Sequence, residues 1–240
     1  MSDFTLEQAR SRLILALDVP DIAAGEAMLD RVAGHIGIVK VGLELFTACG
    51  PPAVKMVLDR GFEVFLDLKL HDIPATVAGA VRSARSLGAA MLTVHAGGGG
   101  PMLEAACESA GDELKILGVT LLTSMGEEDL PPVSIAGTPA EVVRKRAALA
   151  ARAGCRGIVC SPKEVGTVRE AAGPDVSIIT PGIRPAGADM GDQKRAATPA
   201  SAIGDGSDYL VVGRPIRGAD DPAAAADEIC AQIAEAMGAR

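Results

Sequence analysis

The stretch EVFLDLKLHDIPATV, residues 63–77, decides the fold. An apolar run at 63–70 leads through a short turn into a helical pattern, and that pattern opens with Pro74, a residue favoured in the first turn of a helix. A buried strand that passes directly into a helix is the repeating unit of parallel sheets. Side chains alternate between the two faces of a strand, so we expect Asp67 and Lys69 to share one face and Leu68 to occupy the other.

The same strand-then-helix unit recurs along the whole chain. Strands are predicted at 13–19, 38–43, 63–70, 91–96, 115–122, 157–161, 177–180 and 208–213. Helices are predicted at 21–33, 43–60, 74–87, 101–110, 138–153, 162–171, 198–203 and 222–237. Eight strands alternating with eight helices suffice to close a (β/α)8 barrel, the TIM barrel, although an open doubly wound sheet has much the same local pattern.

The placement of polar residues favours the barrel. Charged and polar side chains lie at or just beyond the carboxyl ends of the predicted strands: Asp18, Lys40, Asp67, Lys69, His95, Thr123, Arg184 and Arg214. In a barrel these ends meet on one face, where active sites are built. We therefore predict a single α/β domain over residues 1–240, with an N-terminal extension at 1–12, barrel motifs at 13–216 and a C-terminal helix at 217–240.

Composition narrows the function classes. The chain has 240 residues, of which 48% are hydrophobic, and a net charge of −8. This charge argues against binding to nucleic acid or to an anionic membrane surface. Five cysteines without a CxxC pair suggest reduced thiols, and the charged segment 1–12 lacks the apolar core of a secretory signal. We expect a cytoplasmic protein that binds neither nucleic acid nor membrane.

Two further motifs have simple interpretations. His95 precedes four glycines at 97–100, but the sequence lacks the GK[ST] of a phosphate loop, so a tight turn before a helix is predicted. The longest irregular segment, 184–193, has the length and small residues of an active-site lid. His35 and His71 have no partner at metal-ligand spacing, and we predict no metal site and no cofactor.

Lys69 lies between two carboxylates in the sequence, Asp67 and Asp72. Taken alone, this constellation fits a structural ion-pair network as well as a catalytic site. The run DLKLHDIPATV at 67–77 resembles the signature of the orotidine 5'-phosphate decarboxylase family. Six more strings follow the family's order, namely LALDV at 15–19, VKVG at 39–42, VTLLTSM at 119–125, TPGIRP at 180–185, GDQKR at 191–195 and VVGRPI at 211–216. The resemblance covers about 13–216.

The resemblance implies an enzyme that converts orotidine 5'-monophosphate (OMP) to UMP and CO2 without a cofactor, the final step of de novo UMP biosynthesis. It makes Lys69 the proton donor to C6 of the pyrimidine and gives Asp67 an electrostatic role beside the departing carboxylate. It further implies that Asp72, Ile73 and Thr76 reach into the neighbouring subunit's site. The enzyme would then be a homodimer with shared active sites.

The resemblance also implies which residues bind each part of the substrate. Gly213 and Arg214 follow the eighth strand, where barrels often bind phosphate on physical grounds alone. The family places Arg184 and Gln193 near the phosphate and the closing loop. Asp18 and Lys40 would bind the ribose, and Thr123 would face the pyrimidine. Simpler roles stay open, since Asp18 could cap a helix, Thr123 could merely end a strand and the arginines could be surface residues.

Two other functions stay open at this point. Relatives in the same barrel superfamily act on sugar phosphates with Mg²⁺ and share an Asp-x-Lys-x-x-Asp motif, but they carry an acidic metal ligand on the second strand, where this chain has Lys40. The other alternative is a barrel without catalytic activity that either binds phosphate or has only a structural role.

Overall fold

The computed structural model describes residues 3–185 and 197–239, without the side chains of residues 3–5. Its strands are β1 Leu13–Ala16, β2 Ile38–Gly42, β3 Glu63–Leu70, β4 Met91–His95, β5 Lys115–Val119, β6 Gly157–Val159, β7 Ser177–Pro181 and β8 Tyr209–Val212. They pair in chain order, all parallel, and β8 pairs with β1 to close a barrel. The TIM barrel is confirmed, and the open sheet is wrong.

Helices surround the barrel. They are α1 Asp3–Arg10, α2 Ile22–Arg31, α3 Leu43–Cys49, α4 Pro51–Leu58, α5 Pro74–Ser86, α6 Gly100–Ala110, α7 Pro139–Arg152, α8 Val165–Ala172, α9 Pro199–Gly204, α10 Arg214–Arg217 and α11 Pro222–Gly238. The single helix predicted at 43–60 is wrong, because Gly50 has a φ of 63° and Pro51 begins a new helix. Segment 1–12 contains α1, whose Arg10 lies 3.2 Å from Asp227 of α11.

The start of α2 shows whether Asp18 is a helix N-cap. Asp21 is the N-cap of α2, and its Oδ1 accepts a hydrogen bond of 2.8 Å from the backbone N–H of Ala24. The capping role considered for Asp18 is therefore wrong. Thr138 caps α7 in a capping box with Glu141, which explains why that helix begins where the sequence predicts.

The barrel interior is filled by a separate apolar layer. Its buried members are Ile14, Ala16, Ile38, Phe65, Met91, Leu117, Ile179 and Val211. The alternate residues of the same strands, such as Leu13 and Leu15, pack outward in the larger core that faces the helices. The interior layer forms an apolar floor, and the inward positions two residues further along the strands lie directly above it.

Among residues 3–185 and 197–239, no helix is both long enough and apolar enough to cross a membrane.

Candidate active site

Four charged side chains form a continuous chain of contacts at the carboxyl end of the barrel. Lys40 Nζ lies 3.1 Å from Asp18 Oδ1 and 3.5 Å from Asp67 Oδ2. Lys69 Nζ lies 2.8 Å from both carboxylate oxygens of Asp67. The order is Asp18, Lys40, Asp67, Lys69, so opposite charges alternate and each lysine has a carboxylate partner.

The backbone of β3 is irregular where it carries this chain of charges. The pairing of β3 with β4 is regular at Leu66 and resumes at Leu70, with a register shift between them. Within the shifted segment Lys69 has a φ of 49°, a left-handed conformation that is uncommon for residues other than glycine. Leu68 packs against the outer core, as the alternation predicts. The irregularity turns the Lys69 side chain back toward Asp67, and such strained residues cluster at functional sites.

Asp67 is buried, with only 9% of its surface exposed. Burial alone would raise its pKa, but the charges of Lys40 and Lys69 outweigh burial. Together with hydrogen bonds from Lys69 and Thr93, they hold the pKa of Asp67 below its usual value. Asp67 is therefore a carboxylate at neutral pH, and it keeps a negative charge against the Lys69 ammonium.

Two residues that support this arrangement were missed by the sequence analysis. Thr93 is fully buried on β4, and its hydroxyl donates a hydrogen bond of 2.9 Å to Asp67 Oδ1. Gly42 ends β2, and a Cβ at this position would lie 2.8 Å from Lys40 Nζ and 3.2 Å from Asp18 Oδ1. Both could have been found from the alternation of side chains along a strand. Thr93 lies two positions after the inward-facing Met91, and Gly42 lies two positions after Lys40.

A cleft of about 270 Å³ opens beside the charged residues. It is lined by Ala16, Asp18, Lys40, Pro181, Gly182, Arg184, Val211, Gly213, Arg214 and Arg217. The predicted phosphate residues Gly213 and Arg214 therefore share one cleft with the predicted ribose residues Asp18 and Lys40. Three arginines in so small a cleft suit an anionic ligand.

Arg217 is a further lining residue that the sequence analysis did not single out. Its Nη1 donates a hydrogen bond to the backbone carbonyl of Asp18, and its Nη2 lies 3.7 Å from Asp18 Oδ2. Asp18 thus lies between two cations, Lys40 and Arg217. The available signal was the position of Arg217 at the end of VVGRPIR, residues 211–217, one helical turn after Arg214.

The histidines and glycines after β4 lie at the edge of the site. The rings of His95 and His71 are 5.4 Å apart. Burial, followed by the nearby charges of His71, Lys69 and Arg146, lowers the pKa of His95, so this ring is neutral at neutral pH. Residues Ala96–Gly98 form a single 3₁₀ turn before α6, which confirms the tight turn predicted there.

Among the described residues, Asp72, Ile73 and Thr76 make no recorded contact with the charged side chains of their own chain. All three are exposed. Asp72 Oδ1 accepts a hydrogen bond of 2.6 Å from the backbone N–H of Ile73, and the structure gives Asp72 no ion pair with Lys69. Ile73 is 67% exposed, and two other large apolar residues, Leu43 and Leu122, are exposed near the ends of strands on this face.

The remaining predicted residues have mixed outcomes. Arg184 is buried and lines the cleft, with Nη1 donating to the carbonyl of Ile183 at 2.8 Å. Thr123 lies in a turn beyond β5 and is half-buried, outside the residues that line the cleft. Gln193 and most of the predicted lid at 184–193 lie outside the described residues.

The side chains of the site do not favour binding of a metal ion. Within the described parts of the chain, no three His, Cys, Asp or Glu residues are grouped closely enough to hold a metal ion. Asp18 and Asp67 flank the second strand, but the Lys40 ammonium lies between them and already neutralises their charge. A divalent cation at this position would meet a fixed positive charge.

Comparisons with known proteins agree with this geometry. The model of the orotidine 5'-phosphate decarboxylase / HUMPS family matches residues 11–229. Orotidine 5'-phosphate decarboxylases of Moorella thermoacetica and Anaeromyxobacter sp. (strain K) are 52% and 54% identical, and the matches cover 94% and 92% of this chain and 93% and 98% of those proteins. The crystal structure of orotidine 5'-phosphate decarboxylase from Lactobacillus acidophilus has a TM-score of 0.83 at 37% identity, covering 93% of this chain and 99% of that one. The similarity extends over nearly the whole chain.

Proposed function

The chain belongs to the orotidine 5'-phosphate decarboxylase family of carboxy-lyases, and we propose that it converts OMP to UMP and CO2 with Lys69 as the proton donor. The single observation that supports this role best is the contact of Lys69 Nζ with both oxygens of Asp67 at 2.8 Å, at the mouth of a closed barrel. This contact supports the proposed role, because it holds one ammonium group in a fixed position.

The chemistry explains why an ammonium group is needed. When the C6 carboxylate leaves as CO2, the bonding electron pair stays on C6, and no adjacent carbonyl is placed to delocalise it. The Lys69 ammonium stabilises that pair by its charge and then transfers a proton to C6. The neutral amine regains a proton from water, so one OMP and one proton give one UMP and one CO2.

Asp67 has an electrostatic role in this proposal. Its pKa lies below the usual value, so the group is a carboxylate throughout the neutral range. It holds the ammonium in place through two hydrogen bonds, and it would lie beside the negatively charged group that departs. Because Lys40 supports Asp67 from the other side, the negative charge persists even while Lys69 gives up its proton.

The cleft supplies binding energy at a distance from the reacting carbon. Gly213, Arg214 and Arg184 line the cleft and would hold the phosphate, with Gln193 from the predicted lid. Asp18 and Lys40 would bind the ribose hydroxyls, and Thr123 would face the pyrimidine. Binding energy from the unreactive phosphate can then support the closure and charge pairing needed at C6.

We further propose that the active unit is a homodimer in which Asp72, Ile73 and Thr76 complete the partner's site. The exposure of all three residues supports this arrangement, as does the absence of an ion pair between Asp72 and Lys69 of one chain. An exposed isoleucine loses an unfavourable contact with water when a second copy covers it. A cytoplasmic location also stays a prediction, which the five free thiols support.

A Mg²⁺-dependent reaction on a sugar phosphate is the alternative, because barrels of that kind share the Asp-x-Lys-x-x-Asp motif found here at residues 67–72. Lys40, at 3.1 Å from Asp18 and 3.5 Å from Asp67, argues against it. The test follows the absorbance change of OMP with purified enzyme, before and after EDTA treatment. We expect decarboxylation at an unchanged rate in EDTA. Loss of activity in EDTA that Mg²⁺ restores, or no consumption of OMP, would contradict the proposal.

A further inference from the structure

We propose that Thr93 is a positioning residue that fixes Lys69 and Asp67 relative to each other through a single hydroxyl group. The inference rests on the proposed function, since it concerns how the proton donor is held. Thr93 touches neither the cleft nor the charged end of Lys69. It acts on the backbone of one residue and on the side chain of the other.

The two hydrogen bonds of the Thr93 hydroxyl have a defined direction, because each partner can act in only one way. The backbone N–H of Lys69 can only donate, and it lies 2.9 Å from Thr93 Oγ1. The Asp67 carboxylate can only accept, and its Oδ1 lies 2.9 Å from the same Oγ1. A hydroxyl has one proton and two lone pairs. Thr93 therefore accepts from Lys69 and donates to Asp67, and both directions are set by the chemistry of its partners.

The position of Thr93 in the sheet explains why this hydroxyl is needed. Between the pairs Leu66 with Leu92 and Leu70 with Val94, three residues of β3 face the single residue Thr93 of β4. The Lys69 N–H in this bulge bonds to the hydroxyl of Thr93, a side chain of the neighbouring strand. Lys69 is also the residue whose φ is 49°. The hydroxyl satisfies the buried N–H and supports an otherwise unfavourable backbone conformation.

Because Thr93 is buried, loss of its hydroxyl should affect both Asp67 and Lys69. Thr93 is fully buried and lies one layer above Met91 of the apolar floor, so no water can replace its hydroxyl. Without it, Asp67 loses one donor and the Lys69 N–H loses its acceptor. The carboxylate and the bulge can then move independently, and the ammonium shifts relative to C6. Displacement of a reacting group by about 1 Å can lower a rate by about 100-fold.

The test compares Thr93→Val, which removes the hydroxyl at nearly constant volume, with Thr93→Ser, which keeps it. For Thr93→Val we expect kcat for OMP to fall about 10- to 100-fold, with KM changed less than about threefold because the cleft is untouched. For Thr93→Ser we expect kcat within about threefold of the wild type. Thr120→Val is the matched control, because Thr120 is also fully buried but bonds to the carbonyl of Val159, outside the charged cluster.

The outcomes separate this inference from the proposed function. A wild-type enzyme that leaves OMP unchanged would overturn both. An active wild type with an unchanged kcat in Thr93→Val would overturn the role of Thr93 alone. Equal losses of kcat in Thr93→Val and Thr93→Ser, or an equal loss in Thr120→Val, would assign the effect to packing and would also overturn it. If Thr93→Val does not fold, Thr93→Ser still decides the question, because a loss of kcat beyond about tenfold despite the retained hydroxyl contradicts the inference.

Discussion

The ammonium of Lys40 lies 3.5 Å from Asp67 Oδ2, on the second strand of the barrel, so Asp67 is held between two lysines. Both partners are largely buried, with 11% and 12% of their side chains exposed. A charge pair in such surroundings interacts more strongly than on the surface, because water screens it less. We therefore expect Lys40 to affect catalysis in addition to its proposed role in binding the ribose.

Replacement of Lys40 by methionine removes that charge at similar length. The pKa of Asp67 should rise, because burial then acts against one cation in place of two. Since the carboxylate form is needed, the acid limb of the kcat profile should move to higher pH. We expect kcat/KM to fall about 10- to 100-fold, the effect of losing one contact to a charged group. An acid limb at the wild-type position in Lys40→Met would show that Lys40 does not hold Asp67 ionised.

Gly42 leaves the space in which Lys40 meets Asp18. A methyl group at this position would lie 2.8 Å from Lys40 Nζ, so Gly42→Ala should displace the ammonium and raise KM about tenfold or more. Gly204→Ala is the matched control, because a Cβ there meets nothing within 4 Å. Steady-state kinetics of the two variants measures the difference. Equal KM values for both variants would mean that the contact of Lys40 with Asp18 is dispensable.

Arg214 should act on the phosphate and on nothing else in the substrate. We expect Arg214→Ala to lower kcat/KM for OMP about 10- to 100-fold, the effect of losing a charge-assisted hydrogen bond. With orotidine, which lacks the phosphate, the same variant should match the wild type. Turnover of both substrates by both enzymes gives the comparison. A similar loss with orotidine would place Arg214 outside the phosphate site.

The proposed sharing of active sites between two subunits predicts that two inactive variants complement each other. Lys69→Ala and Asp72→Ala homodimers should each be nearly inactive, because every site in them lacks one group. A mixture that exchanges subunits should regain activity, since each heterodimer contains one intact site and one that lacks both groups. Native mass spectrometry of the mixture verifies the exchange. No recovery after verified exchange would exclude a site built from two subunits.

Much of the barrel was predictable because its strands are continuous apolar runs followed by helix-start residues. The run at 63–70 and strand β3 have identical bounds. Strand ends were least predictable where apolar residues continue beyond the last residue paired with a neighbouring strand. The fifth strand was predicted at 115–122, but β5 ends at Val119. The break at Gly50 was missed because the apolar pattern continues through it, while the left-handed backbone and Pro51 end the helix.

The charged residues of the site were predictable because they fall at strand ends. Alternation could have indicated the face on which Thr93 lies, but not the role of its hydroxyl. Thr93 looks like an ordinary β-branched strand residue in MLTVH, and only its place opposite a bulge gives its hydroxyl a role. Alternation predicts that Asp67 and Lys69 share a face, yet it does not predict the φ of 49° that brings the Lys69 ammonium onto the carboxylate. Such conformations depend on contacts across the sheet, which no local pattern encodes.

The role of Lys69 is tested most directly by measuring kcat for OMP and the Kd for UMP in Lys69→Ala. Removal of both the charge and the proton donor should lower kcat by about 1,000-fold or more. The Kd should change less than about tenfold, because the cleft residues proposed to bind phosphate and ribose stay in place. Lys55→Ala is the control, since Lys55 is exposed on α4 and pairs with Asp59. A Lys69→Ala enzyme with a kcat within about tenfold of the wild type would contradict the account.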